Sequence, residues 1–170
     1  KIVAAAKGSG KTIIADPKLT DFSAYAGVDV LTPNLGELHR AAASDSGMDS
    51  LADIAQQAAK LASANNIGAI IATLSARGMV LAPAKGNFVH EPAIARDVFD
   101  VSGAGDTVVA MLAAAIAGGA ALDQAMSLAN LAAGVAVGKS GTAIVSPGEM
   151  IAQMAPSPPP LDTAHWQKQI

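Results

Sequence analysis

The chain has 170 residues, 51% of them hydrophobic, which is enough apolar material for the core of one domain. Its formal net charge is −3 and its eleven Lys and Arg residues are scattered, so composition gives no support for nucleic-acid binding, and the lack of cysteine excludes disulfides and thiolate metal sites. The longest apolar run, Val108 to Ala117, is shorter than the about 20 residues that cross a bilayer, and the N-terminus has no secretory cleavage pattern, so we expect a cytoplasmic protein without a membrane partner.

Helices and strands alternate along the chain. In order, the apolar patterns predict a helix over 1–7, strands over 12–15 and 28–31, a helix after 34 that reaches 42, a helix from 50 through 62, a strand over 69–73, a hairpin of 79–82 with 88–90, and helices over 105–117, 122–137 and 147–154. This order predicts an α/β fold with a mostly parallel sheet covered on both faces, because parallel strands need crossover connections that are usually helices. In such sheets ligands bind at the carboxyl ends of the strands.

The sequence Asp-Val-Ser-Gly-Ala-Gly-Asp-Thr at 100–107 leads directly into a long apolar helix. Gly103, Ala104 and Gly105 leave backbone N–H groups uncovered at the helix start, where the positive end of the dipole favours an anion such as phosphate. Asp106 is within reach of a transferred phosphoryl group and its attacking nucleophile, as a general base must be. The alternative is a tight turn with Asp106 as an ordinary helix-start carboxylate, worth about 0.3 to 1 kcal/mol. The pattern alone does not separate the two interpretations.

The same segment resembles the C-terminal signature of the ribokinase (PfkB) family of carbohydrate kinases, Asp-Thr-x-Gly-Ala-Gly-Asp, with Val101 in place of the usual Thr. The resemblance implies that Asp106 is the catalytic base and that the amides of 103–105 form an anion hole for the phosphoryl group. It also implies that Asp100 and Ser102 help to hold a monovalent cation, K⁺. The alternative for Asp100 and Ser102 is that they cap the turn.

The segment Thr32 to Glu37 is similar to the Asn-x-x-Glu motif of that family, whose Asn and Glu lie near the ATP phosphates and organise Mg²⁺ through water. The resemblance implies that Asn34, Leu35, Gly36 and Glu37 contact ATP, with Asn34 and Glu37 serving the metal through water. Side chains three apart on a helix share a face, so both can serve one ion. The alternative is an ordinary capping box, with Asn34 as N-cap and Glu37 at the third helical position.

Two further segments imply nucleotide contacts. The turn from Thr73 to Gly78 resembles the family's Thr-x-Gly-x-x-Gly turn, which makes Thr73, Ser75 and Gly78 candidates, although Ser75 replaces the middle glycine. Asn130 falls where the family places an Asn near the nucleobase. The alternative for Asn130 is a packing role within its helix.

Within the family, three segments resemble the branch that phosphorylates C1 of heptose 7-phosphate in ADP-heptose and lipopolysaccharide core synthesis: 16–22, 31–35 and 137–147. In the segment 16–22, the resemblance implies that Lys18 contacts a phosphate. The alternative is that Lys18 only follows the end of the strand into solvent. The branch implies ATP and Mg²⁺ as cofactors and a sugar phosphate as substrate. Three alternatives stay open: a kinase for ribose, fructose or a nucleoside, a nucleotide-binding fragment without activity, and a structural α/β domain that binds nothing.

The resemblance covers only the later half of such a kinase. It implies a ribokinase-like three-layer sandwich without its N-terminal part and lid. Residues 1–155 are then the nucleotide-binding C-terminal portion of the kinase domain, and the Pro-rich start of 156–170 predicts a linker or tail. Because the acceptor site and the water-excluding lid belong to the earlier half, we expect little turnover from the isolated chain. A homodimer is expected only of the complete enzyme.

Other sequence features resemble different kinds of site, but their context gives these sites less support. The segment Ala5 to Thr12 satisfies a relaxed P-loop pattern, but a P-loop follows a strand and opens a helix, whereas here a predicted helix precedes and a predicted strand follows. His39, His90 and His165 do not have the spacing of metal ligands. Arg77 and Arg96 fit a nucleotide contact and a solvated turn equally well.

Overall fold

The computed structural model describes residues 2–42, 48–94 and 100–154. Its elements, in chain order, are α1 Ile2–Gly8, β1 Ile14–Ala15, a 3-10 helix Phe22–Tyr25, β2 Val30–Leu31, α2 Leu35–Ala42, α3 Leu51–Ala64, β3 Ala69–Thr73, a 3-10 helix Ser75–Arg77, β4 Met79–Pro83, β5 Val89–Glu91, α4 Ala104–Ala117, α5 Leu122–Val137 and α6 Pro147–Met154. Each predicted helix and strand is present. Arg96, His165 and the predicted tail 156–170 lie outside the described residues.

The five strands form one sheet in the order β1-β2-β3-β4-β5. The first three strands run parallel, with Ile14 opposite Val30 and Leu31 opposite Ile70. The β3–β4 and β4–β5 pairs are antiparallel, which confirms the predicted hairpin. The sheet is therefore mixed, and the α/β class predicted from the alternation is confirmed. The carboxyl ends of β1, β2 and β3 lie at one edge of the sheet.

Helices cover both faces of the sheet, and the side-chain alternation along β3 shows how. Ile70 and Ala72 belong to a core cluster with residues of α2 and α3, whereas Ala69 and Ile71 belong to a second cluster with residues of α4 and α5. All four side chains are buried, as expected of a continuous apolar strand at the centre of a layered fold. The helix pairs thus form the outer layers around the sheet.

The structure differs from the predicted bounds in the first two strands, whose ladders are only two residues long. The ladder begins at Ile14. The backbone N–H of Ile13 donates to the side chain of Asp29 at 2.7 Å, while its carbonyl accepts from the N–H of Val30 at 3.0 Å. Helix α4 is apolar in sequence, yet Ala110, Ala113 and Ala114 on it are exposed. In the described ranges, none of the helices combines the length and the apolar character needed to cross a membrane.

Candidate active site

A polar pocket lies where the first three strands end. Asp16 follows β1, Thr32 follows β2 and Thr73 ends β3. The N–H of Thr73 donates to the carbonyl of Pro33 at 2.9 Å, which fixes the end of β3 beside the start of α2. The pocket has a volume of about 240 Å³ and is lined by Asp16, Lys18, Thr32, Asn34, Glu37, Thr73, Gly103, Gly105, Asp106 and Val108. Its position matches the usual ligand site of an open α/β sheet.

The start of α4 forms one wall of the polar pocket and has no side-chain cap. Gly103 is the N-cap residue and has φ of 76°, a left-handed conformation that glycine adopts without strain. The N–H of Ala104 donates to the carbonyl of Val101 at 3.2 Å. Among the described residues, no group accepts from the N–H of Gly105 or Asp106. These two amides are left at the positive end of the helix dipole, which suits an anion.

Asp106 lies in the first turn of α4, is exposed, and lines the polar pocket. Its carboxylate is therefore neither packed away nor turned from the open pocket. The adjacent Gly105 lines the same pocket. This placement allows one ligand to meet both the free amides and the carboxylate.

An apolar cleft of about 470 Å³ adjoins the polar pocket, and Thr73, Gly105 and Val108 line both. Its walls come from the end of β3, the following turn, the start of α4 and one side of α5: Thr73, Ser75, Ala76, Gly78, Met79, Ala93, Ile94, Val101, Ala104, Gly105, Val108, Asn130, Ala133, Gly134 and Val137. Buried Asn130 supplies a polar group, and its Nδ2 donates to the carbonyl of Pro92 at 2.7 Å. A mostly apolar wall with few polar groups is typical of a small-molecule site.

The start of α2 is capped by its own side chains. Asn34 Oδ1 accepts from the N–H of Glu37 at 2.9 Å, and Glu37 Oε2 accepts from the N–H of Asn34 at 2.8 Å. The capping box considered from sequence is therefore present. Both side chains also line the polar pocket, so capping and a role in the pocket are compatible.

Lys18 and Asp16 form an ion pair of 2.5 Å at the rim of the polar pocket. The hydrogen bond and charge of Asp16 raise the pKa of Lys18, and the charges of Glu37 and Asp106 act in the same direction. The charge of Lys18 therefore interacts with the carboxylates that line the pocket. Among the described residues, no three His, Asp or Glu side chains are close enough to hold a metal ion by themselves.

Asp100 anchors the segment before α4. Its Oδ1 accepts from the N–H of Ser102 at 2.8 Å and its Oδ2 from the N–H of Gly141 at 3.0 Å. These hydrogen bonds, led by the one from Ser102, lower the pKa of Asp100. Asp100 and Ser102 line neither the polar pocket nor the apolar cleft. Asp100 thus ties the α4 start to the loop after α5.

The turn after β3 explains why the related pattern has glycine where this chain has Ser75. Ser75 has φ of 53°, a left-handed conformation that is unfavourable for residues with a Cβ. Gly78 has φ of 84°, and a Cβ there would collide with the carbonyl oxygen of Glu91. Gly78 is therefore required by packing, whereas Ser75 is a strained residue at the edge of the cleft.

The structure brings together most of the residues proposed from sequence. Asn34, Glu37, Gly103 and Asp106 line the polar pocket, Ala104, Ser75, Gly78 and Asn130 line the apolar cleft, and Thr73 and Gly105 line both. Leu35 and Gly36 line neither cavity, and the side chain of Leu35 packs against the core. No sequence motif indicated Asp16 or Thr32 as a site residue. Their position directly after β1 and β2 was the available indication.

The alternative motifs do not form sites in the described residues. Helix α1 ends at Gly8 and β1 begins at Ile14, so the strand-loop-helix order of a P-loop is lacking. His39 is exposed on α2, and a ring nitrogen of His90 is 2.8 Å from the carbonyl of Arg77. Arg77 donates to the carbonyl of Asp49 at 3.2 Å, as a turn residue does.

A family comparison decides the class of protein. The profile of the pfkB family carbohydrate kinase matches residues 1–148. This chain belongs to the pfkB carbohydrate kinase family. The match includes both helix starts that line the polar pocket, so the pocket belongs to the part of the chain that the family shares.

Curated relatives in the family include two bifunctional proteins named HldE. The chain is 48% identical over 151 residues to the protein of Paramagnetospirillum magneticum, covering 89% of this chain and 30% of the relative. It is 45% identical over 159 residues to that of Halorhodospira halophila, covering 94% of this chain and 33% of the relative. The chain therefore spans about a third of the length of these relatives.

Solved structures of a ribokinase and a phosphofructokinase have the same fold. Arabidopsis thaliana ribokinase complexed with ribose and ATP superposes with a TM-score of 0.82 at 23% identity, covering 92% of this chain and 51% of that one. Escherichia coli phosphofructokinase-2 in complex with potassium has a TM-score of 0.76 at 18% identity, covering 89% and 49%. The ribokinase-like fold predicted from the motifs is confirmed.

Proposed function

We propose that this chain carries the nucleotide-binding and base-bearing part of a kinase that transfers a phosphoryl group from ATP to C1 of heptose 7-phosphate. The observation that carries the proposal is the placement of Asp106, an exposed carboxylate beside uncovered helix amides in a polar pocket. Membership of the pfkB family supports the reaction class, and the HldE relatives support the heptose branch suggested by 16–22, 31–35 and 137–147.

The proposed chemistry begins at the acceptor hydroxyl. Asp106 accepts its proton, and the hydroxyl oxygen forms a bond to the γ-phosphorus while the bond from that phosphorus to the β,γ-bridging oxygen breaks. ADP leaves with the electron pair of the broken bond. The amides of Gly105 and Asp106 stabilise the charge on the phosphoryl oxygens, because they are oriented before the reaction and need no rearrangement. Gly103 supplies the turn that exposes them, and the N–H of Ala104 contributes once it leaves its 3.2 Å partner.

In the proposal the nucleoside occupies the apolar cleft and the phosphates extend into the polar pocket past Thr73 and Gly105, which line both. Asn130 Oδ1 is available to the nucleobase because its Nδ2 is already bonded to Pro92. Ser75 and Gly78 lie along the cleft wall. The volume of the cleft, about 470 Å³, and its mostly apolar lining fit an adenosine moiety.

The donor set of the polar pocket fits Mg²⁺ held through water. Glu37 and Asn34 offer hard oxygen atoms, and each already accepts one backbone hydrogen bond, which leaves other lone pairs for ordered water. Mg²⁺ usually keeps several waters and uses one or two carboxylates together with substrate phosphates, which agrees with the lack of a three-ligand cluster among the described residues. When bound, Mg²⁺ neutralises phosphate charge. The proposal also includes a monovalent cation, K⁺, at Asp100 and Ser102, because each carboxylate oxygen of Asp100 accepts one backbone hydrogen bond and keeps a further lone pair.

The proposal assigns residues 1–155 to the nucleotide-binding portion of the kinase and 156–170 to a linker or tail. The sugar phosphate contacts and the homodimer belong, in this account, to the complete kinase. The isolated chain is expected to bind nucleotide weakly and to turn over little, because closure over the substrates excludes water from phosphoryl transfer.

The test uses a chimera, called here the kinase chimera, in which residues 1–154 of this chain replace the matching segment of the Paramagnetospirillum HldE protein. We expect ATP-dependent phosphorylation of heptose 7-phosphate at C1, detected by ³¹P NMR, and little product from the isolated chain. Faster transfer to ribose or fructose would disprove the acceptor assignment. Failure to phosphorylate any sugar would disprove the kinase assignment.

A further inference from the structure

Lys18 lies in the polar pocket, but the chemistry proposed above gives it no role. Its side chain is 77% exposed, and its described partner is Asp16, at 2.5 Å. Ion pairs between exposed side chains contribute little to stability. The pair is therefore not explained as a stabilising contact.

The charges around the pocket indicate what Lys18 can do. The lining carries three carboxylates, from Asp16, Glu37 and Asp106, and Lys18 is the one cationic side chain among the described lining residues. A ligand that brings phosphate into this pocket meets repulsion from the carboxylates. Lys18 is the protein group that can offset it, and a lysine ammonium is a compact charge suited to phosphate.

The turn that carries Lys18 is held by the core. The Tyr25 hydroxyl oxygen accepts from the N–H of Lys18 at 2.7 Å and from the N–H of Leu19 at 3.1 Å. The Tyr25 ring packs edge-on against buried Phe22, with ring centroids 6.4 Å apart. Pro17, directly before Lys18, is also fully buried. The backbone at Lys18 is thus fixed, while its long side chain reaches the pocket rim.

We propose that Lys18 is a phosphate-binding residue that leaves Asp16 for a phosphate oxygen of the bound substrate, and that Tyr25 is the positioning residue that fixes its backbone. The inference rests on the proposed kinase function. The phosphate has two sources, the γ-phosphate of the nucleotide and the phosphate ester of the acceptor. Both present the same dianionic oxygens to the ammonium group.

The experiment compares Lys18→Met and Lys18→Arg in the kinase chimera, with Lys85→Met as the matched control. Lys85 follows β4, whose end pairs with the first residue of β3, so it lies at the opposite edge of the sheet. We expect Lys18→Met to lower kcat/KM for one substrate about tenfold or more, the usual loss of a charged hydrogen bond, and Lys18→Arg to retain most activity. Lys85→Met is expected to change neither value.

The substrate affected identifies the source of the phosphate. A higher KM for heptose 7-phosphate, with kcat and the KM for ATP unchanged, assigns Lys18 to the acceptor phosphate. A higher KM for ATP or a lower kcat, with the acceptor KM unchanged, assigns it to the γ-phosphate. If Lys18→Met changes kcat/KM for both substrates less than about threefold relative to Lys85→Met, the inference is wrong while the kinase assignment stands. A parent chimera that phosphorylates no sugar overturns both.

Tyr25→Phe tests the positioning role. It removes the hydroxyl that holds the Lys18 backbone and keeps the ring against Phe22. We expect it to affect the same substrate as Lys18→Met, with little added effect when the two changes are combined. Additive effects of the two changes, or a lower melting temperature with unchanged kinetics, would show that Tyr25 has only a structural role.

Discussion

Helices α2 and α4 begin at the same edge of the sheet, yet their first turns are built in opposite ways. At α2 the side chains of Asn34 and Glu37 satisfy the backbone amides and place a carboxylate at the pocket. At α4 no side chain caps the helix, and the amides of Gly105 and Asp106 have no acceptor among the described residues. A start closed by a carboxylate suits a hydrated cation, whereas an open start suits an anion. The pocket thus offers complementary sites to a metal-bound triphosphate.

The other helices show that the open start is not general in this fold. Ser50 and Asp53 close α3, and Ser146 and Glu149 close α6, each with hydrogen bonds in both directions. At α5 the Gln124 Oε1 accepts from the N–H of Ala121 at 3.1 Å. Among α2 to α6, as far as the structure describes them, α4 is the helix at whose start no side chain accepts a hydrogen bond from the backbone. This uncapped start lines the polar pocket.

The largest expected effect comes from removing the base at the open start. Asp106→Asn in the kinase chimera should lower kcat by about 10² to 10⁴, because the amide cannot accept the acceptor proton. Nucleotide affinity should change little, since the free amides remain. Steady-state kinetics and calorimetry measure the two quantities. Asp123→Asn, in the first turn of α5, is the matched control, and an equal loss in both variants would refute the special role of Asp106.

Closing the open start should weaken phosphate binding. Gly103→Ser adds an N-cap hydroxyl that competes for the free amides, and we expect ADP affinity to fall about tenfold while adenosine affinity is unchanged. The left-handed φ of 76° adds a stability cost of about 1 to 2 kcal/mol. Gly86→Ser, also at a positive φ, 112°, but on an open turn, is the control away from the site. Unchanged ADP affinity in Gly103→Ser would contradict the anion-binding role.

Removing the side-chain cap of α2 should lower the stability of the protein and raise the Mg²⁺ concentration that it needs. Asn34→Ala should lower the free energy of unfolding by about 1 kcal/mol, the usual loss of an N-cap, and raise the Mg²⁺ concentration that the kinase chimera needs. Ser50→Ala removes the corresponding cap of α3 and should match the loss in chemical denaturation without altering Mg²⁺ dependence. If the two variants have the same Mg²⁺ dependence, Asn34 is only a cap.

The smallest expected effect is a loss of stability in acid, and it comes from the side-chain cap at the start of α6. The hydrogen bond from Lys139, followed by those from Ser146, lowers the pKa of Glu149 from 4.5 to about 2. A carboxyl whose pKa is lower in the folded state contributes stability above its unfolded pKa and loses it as pH falls. We therefore expect part of the stability to disappear between about pH 4.5 and about pH 2, with Glu149→Gln lacking this component in urea titrations. An unchanged pH profile in that variant would show that the contacts of Glu149 do not contribute.

The contrast also shows what the sequence could predict. The α4 start was predictable because its glycines, its carboxylate and the following apolar helix are contiguous. From the sequence, the α2 start was predictable as either a cap or a metal site. The structure shows that the cap is formed and that its side chains also line the pocket. Leu35 and Gly36 were included with their motif, but helix geometry turns Leu35 into the core.

Residues contributed singly by separate elements could not be found from local pattern. Asp16 and Thr32 join the pocket only because β1 and β2 end side by side in a parallel sheet. The α5 wall of the apolar cleft consists of Ala133, Gly134 and Val137, whose types are common in any buried helix. The predicted strands over 12–15 and 28–31 exceed the two-residue ladders of the structure. At Ile13 the backbone N–H bonds to the side chain of Asp29, which no local pattern indicates.

The most direct test of the central claim is calorimetric titration of this chain with Mg-ADP and with adenosine. If the open start of α4 binds phosphate, Mg-ADP should bind at least about tenfold more tightly than adenosine, and the difference should shrink in Gly103→Ser. Equal affinities for the two ligands, or a difference that Gly103→Ser leaves intact, would contradict it.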